Sequence, residues 1–103
     1  MKNMAKLLLR DIELTMDNVT IMFDSNNVHE TDPLIDSIIE NVKIIIESAN
    51  SICEETKFMT CIKVIDRHVM FYEDTRDMGS NIVDLQLIVD SLKEIFRLYK
   101  LEY

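Results

Sequence analysis

Glu73, Asp77 and Asn81 lie four residues apart, and on a helix that spacing stacks two carboxylates and an amide along one face, about 6 Å from one to the next. Oxygen groups in a line are hard ligands, suited to one cation or to a pair. Two like charges at i, i+4 repel by about 0.2–0.5 kcal/mol in an isolated helix, so a cation must offset them or water must screen them. Asp36 and Glu40 repeat the spacing earlier in the chain. Acidic pairs projecting inward from neighbouring helices are how bundles build metal sites. Glu73, Asp77, Asn81, Asp36 and Glu40 are therefore the candidate metal ligands, and the competing reading of each is an ordinary solvated acidic face.

Other chemistries find less support. The di-iron bundles use Glu-x-x-His, and neither His29 nor His68 has a Glu three residues before it. No Ser/His/Asp or Cys/His set is placed by the spacing, and no glycine-rich phosphate loop is present, so an enzyme is not expected. Cys53 and Cys61 match no metal spacing and read as buried free thiols in a reducing cytosol. Met4, Met16, Met22, Met59, Met70 and Met78 could line a promiscuous groove, but methionines scattered at helical spacing are more often core filler. With 11 Lys and Arg against 19 Asp and Glu, the net charge of −8 repels a phosphate backbone and argues against nucleic acid as a partner. A cation or a basic protein surface suits it better.

The elements that must carry these residues are helices. One Gly and one Pro in 103 residues, with 48% apolar residues, leave long runs without turn punctuation. A first helix is expected from Met4 to Phe23, with Leu8, Ile12, Met16, Val19 and Phe23 on its core face. Its solvated side carries Lys6, Arg10, Asp11, Glu13, Asp17 and Asn18, and Asp17 shares a face with Asp24, seven residues on. Residues 24–31 read as a loop. Thr31-Asp32-Pro33 opens the second helix, with a capping side chain followed by a proline in the first turn. Ile35, Ile38, Ile39, Val42, Ile45, Ile46, Ala49, Ile52 and Cys53 give it a stripe wide enough to meet two neighbours. After a break at Glu54–Lys57, a third helix is expected from Phe58 to Val89, about 50 Å long and bent at Gly79-Ser80. Ser91-Leu92-Lys93-Glu94 has the form of a capping box, so a short terminal helix, Leu92 to Leu101, is expected to restart there and pack on the bundle.

Glu73, Asp77, Asn81-Ile82 and Asp84 together resemble the E-R-I-x-D-x-A-x-N-I-A-E signature of PhoU-like phosphate uptake regulators. The departures are Asp74 where the pattern carries Arg, Arg76 where it has a small residue, and Gly79 where it has Ala. The resemblance implies an all-α fold, a single PhoU-like repeat of three antiparallel helices with a short C-terminal extension, as one domain over residues 1–103. It further implies a cytoplasmic regulator of phosphate uptake that acts on a membrane transporter and its signalling partner. On that carry-over Glu73 and Asp77 would bind a metal ion, iron or another divalent cation, supported by Asn81. Family members commonly pair two such repeats in one chain, so a homodimer is expected to rebuild the pair. No run of residues is long and apolar enough for a membrane span, and no signal-peptide layout is seen, so no direct membrane insertion is expected. The rival reading is a small acidic helical interaction module, adaptor-like or viral, that presents a groove to a basic or amphipathic helix without metal.

Overall fold

Five helices form in the computed structural model, which describes residues 2–24, 31–76 and 82–101. α1 (Lys2–Asp24) buries Ala5, Leu9, Ile12, Met16 and Val19, at spacings of four and three. Leu9 and Ala5 take the core positions at its N-terminal end, while Leu8 and Phe23 only pack against the edge. α2 (Asp32–Glu47) begins as its proline predicts. Pro33 sits in the first turn, and the Thr31 carbonyl accepts the Ile35 N–H at 2.9 Å, although the Thr31 hydroxyl makes no capping bond. At Ser48 the backbone leaves helical geometry, and α3 (Ala49–Ile52) is a single turn that drives Ala49 and Ile52 into the core.

The third helix of the expected bundle is two helices. α4 (Thr56–Thr75) and α5 (Ile82–Leu98) are separate elements, and each packs along the other. The reason lies in the apolar stripe of the second half. Leu85, Ile88, Val89, Leu92, Ile95 and Phe96 would stand without a partner at the far end of a 50 Å rod, and each is buried once the chain doubles back. Burial of each such side chain is favourable by about 1.5–3 kcal/mol, so the six together far outweigh the few helical hydrogen bonds lost at a reversal, at about 1 kcal/mol each. Gly79-Ser80, the expected bend, lies outside the described residues. The stripe also crosses Ser91-Leu92-Lys93-Glu94 without a change of phase, so this capping-box pattern sits inside α5 and starts no helix.

The four long helices form a ring in which α1 meets α2 and α5, while α4 meets α2 and α5. Contacts mark each seam, and on the α2/α4, α4/α5 and α1/α5 seams their order shows that the neighbours run antiparallel. Asn41 reaches Asp11 between α1 and α2, and Lys43 with Glu73 and Arg76 with Asp36 tie α2 to α4. Lys93 with Glu13 ties α5 to α1, and Phe58 with Tyr99 joins the start of α4 to the end of α5. The chain is all-α; among the described residues four long helices surround the core, where three with a short C-terminal extension were expected, and no strand occurs. No helix of the described residues is long and apolar enough to cross a membrane.

The C-terminal end is fixed by a local device. Lys100 takes a left-handed conformation (φ 56°), its N–H bonds to the Arg97 carbonyl at 3.2 Å, and the Leu101 N–H bonds to the Phe96 carbonyl at 2.7 Å. That pair of bonds is a Schellman motif, and it folds Leu101 back into the core. The expected packing of the terminal segment on the bundle is thereby met.

Candidate functional site

The helices that border α4 treat its two flanks differently. On the α2 side, Lys43 Nζ lies 2.9 and 3.0 Å from the two Glu73 carboxylate oxygens. One turn away, Arg76 pairs with Asp36 and reaches the Asp32 carboxylate at 3.5 Å and its carbonyl at 3.3 Å. The Glu73 hydrogen bond holds the Lys43 ammonium above its usual pKa, with Glu47 and Asp66 adding to it. At Arg76 partial burial works against the charge, and the bond to Asp36 together with the charges of Asp36 and Asp32 outweighs it, so its pKa is also raised.

The candidate ligands therefore fall as follows. Asp36 and Glu73 share the α2/α4 seam, each against a cation of this chain. Glu40 is exposed on α2. Asp77 and Asn81 lie outside the described residues. Among the described residues no group of three or more His, Cys, Asp or Glu side chains is arranged to hold a metal ion.

On the α5 side α4 is open. A cavity of about 430 Å³ runs along the seam, lined by Cys61, Val64 and His68 of α4 and by Leu87, Ser91 and Ile95 of α5. A second, of about 240 Å³, continues it past Phe71, Tyr72 and Ile88. A third, of about 230 Å³, opens on the other flank of α5, between Thr20 of α1 and Ile82, Val83 and Gln86. Leu87 borders all three.

The walls of this groove are large apolar side chains left in water: Val64 is 44% exposed, Phe71 65% and Leu87 58%. Scattered apolar residues are common on surfaces, but a contiguous apolar set around connected depressions marks an interaction site. The rim is acidic, with Asp84, Asp90 and Glu94 bordering the cavities. Glu94 is held below the usual carboxylate range by its bond to Arg97 on the same helix.

Sequence reasoning passed over Val64, Phe71 and Leu87. The available signal was phase. Val64 and Phe71 are seven residues apart and fall off the stripe of Phe58, Ile62, Ile65, Val69 and Tyr72. Of the methionines, Met16 is core, as expected of filler, while Met4 and Met70 are exposed. His68 is exposed and lines the groove. Cys53 and Cys61 are free thiols, half-buried where buried ones were expected. No family model matches this chain, and no curated protein or solved structure matches it.

Proposed function

We propose that this chain is a protein-interaction module whose α4/α5 groove receives the apolar face of a basic amphipathic helix. The observation that carries the reading is Leu87 at the junction of three cavities, flanked by exposed Val64 and Phe71. Helix-in-groove recognition uses anchors at i, i+3/i+4 and i+7 on the ligand, and a row of exposed apolar walls between two helices offers the complementary surface. Charge selects the sign of the ligand. The net charge of −8 and the acids Asp84, Asp90 and Glu94 along the rim favour Lys and Arg on the ligand's polar face and speed its encounter. On this reading the carboxylates of the α2/α4 seam fasten helices, and no catalytic step is assigned.

A probe for this reading is a helical peptide of about 14 residues, roughly 20 Å long, with leucines on one face and lysines on the other. Fluorescence anisotropy is expected to show saturable binding to the wild-type chain. Leu87→Glu and Phe71→Glu should each weaken it at least tenfold, about 1.4 kcal/mol or more, and a glutamate version of the peptide should not bind. Equal binding by wild type and Leu87→Glu overturns the reading. Elemental analysis of the same protein beside Glu73→Ala and Asp77→Ala separates the phosphate-regulator reading. A stoichiometric cation present in wild type and lost in both variants would return the function to a metal-dependent regulator.

A further inference from the structure

α1 carries a second apolar line that none of the described residues covers. Leu7, Leu14 and Ile21 repeat every seven residues on the side of the helix away from the core, and they are 66%, 56% and 62% exposed. At ~1.5 Å per residue the line is about 21 Å long. Core residues of α1 at Ala5, Leu9, Ile12, Met16 and Val19 account for its packing within the fold, so these three leucine and isoleucine side chains add nothing to it.

The charges beside that line are ordered. On one flank lie Lys6 and Arg10 in the N-terminal half and Asp17 and Asp24 in the C-terminal half. Arg10, Asp17 and Asp24 are exposed, and none of the four has a salt-bridge partner within 4 Å among the described residues, although Asp17 helps to stabilise the Lys93 ammonium of α5 from a distance. A helix face that is basic at one end and acidic at the other, along the same side of an apolar seam, is complementary to itself turned end for end.

We infer that α1 is a homodimer interface, formed by two copies packed antiparallel about a two-fold axis at Leu14. That axis sets Leu14 against the partner's Leu14, and Leu7 against the partner's Ile21. A two-fold axis of this kind brings like flanks together, so Arg10 meets the partner's Asp17, Lys6 meets the partner's Asp24, and both pairs occur twice. A parallel pairing brings unlike flanks together instead. It sets Asp17 beside the partner's Asn18 and leaves both acids of that flank without a cation. Register and direction are thus chosen by charge, in the way that flanking charges choose partners in coiled coils. The two cavities of the α4/α5 seam stay open in this dimer, because among the described residues α1 touches α2, α3 and α5 and makes no contact with α4.

Sedimentation equilibrium of the full chain, from about 10 to about 300 µM, tests the interface at affinities suited to a contact this small. The wild-type mass is expected to rise from that of one chain to that of two, with the transition moving to higher concentration in salt. Leu14→Asp should remain a monomer throughout with unchanged helical circular dichroism, since the side chain it replaces makes no core contact. Arg10→Asp should weaken dimerisation at least tenfold, and adding Asp17→Arg to it should restore the wild-type curve. A wild-type chain that stays monomeric overturns the inference. So does a charge-reversed pair that fails to restore dimerisation, or a dimer abolished by Leu87→Glu and untouched by Leu14→Asp.

Discussion

The two flanks of α4 solve the same problem in opposite ways. Against α2 the gap is bridged by long charged side chains, Lys43 to Glu73 and Arg76 to Asp36. Against α5 the gap is left apolar and open, with Val64, Phe71 and Leu87 around it. One flank serves the fold alone, and the other leaves surface to spare. Acids on a helix face are therefore poor evidence for a ligand site where a cation of the same chain stands one helix away. Apolar residues out of phase with the core stripe are better evidence, because nothing in the fold requires them.

The open flank needs one end pinned, and Phe58 does this. It is fully buried, and its ring meets that of Tyr99 edge to face at 5.4 Å and 78°. Phe58→Ala is expected to lower stability by about 3–5 kcal/mol in urea unfolding, the sum of lost transfer energy, a cavity and the aromatic pair. A loss below about 1 kcal/mol would mean that the α4/α5 seam is held elsewhere, and the contrast between the flanks would be of the wrong kind.

Arg76→Ala probes the closed flank. It removes a cation shared by Asp32 and Asp36 and leaves two carboxylates on α2 facing each other one turn apart. The Arg76 side chain is only 25% exposed, so the expected cost is about 1–2 kcal/mol, above the usual range for a surface pair. Binding of the lysine-faced peptide should be unchanged within twofold. If binding falls with stability, the two flanks are coupled and the division of labour fails.

How far these features could be read in advance follows from the kind of signal each one leaves. Helix class and most core positions were legible because a period of 3.6 residues survives in Ile12, Met16, Val19, Ile35, Ile38, Val42, Ile45, Ile62, Ile65 and Val69. The reversal between α4 and α5 was not, since a glycine and a serine inside a periodic run are equally compatible with a bend and with a turn. Only the need to bury Leu85, Ile88 and Leu92 decides between them. The pairing of Glu73 with Lys43, thirty residues away, has no local trace at all. Leu7, Leu14 and Ile21 were visible in the sequence, yet their exposure becomes meaningful only once the core face of α1 is known.

The end of α5 offers a gain instead of a loss. Lys100 occupies the left-handed position of the Schellman motif, where a side chain beyond the backbone costs about 1 kcal/mol relative to glycine. Lys100→Gly is expected to stabilise the chain by about 0.5–1 kcal/mol, an increase of a few degrees in Tm, because glycine relieves that strain while keeping both bonds. The same change should leave the peptide affinity alone, since the motif lies at the pinned end of the seam.

Alkaline pH gives the smallest and most selective comparison. The hydrogen bond from Lys43 to Glu73, and the bond from Lys93 to Glu13 on the α1/α5 seam, raise each lysine above its ordinary value. A lysine whose folded pKa is raised contributes its full stabilisation below the unfolded value of about 10.4, and loses it as pH climbs through the folded value. Tyr99 acts in the same direction. Burial, with nearby Cys61 and Glu55, raises its pKa, so its ionisation is harder in the folded state and the fold weakens above about pH 10. Arg76 keeps its charge throughout, so the closed flank retains one of its two ties. Urea midpoints are therefore expected to be flat from neutrality to about pH 10 and to fall beyond it by a few tenths of a kcal/mol for each lysine, as suits half-exposed pairs. Lys43→Met should remove the part of that fall that belongs to the α2/α4 seam, and Tyr99→Phe the part that belongs to the pinned end of α4/α5. If Lys43→Met leaves the alkaline limb unchanged, the ion pair with Glu73 is a contact without energetic weight, and Arg76 alone closes that flank.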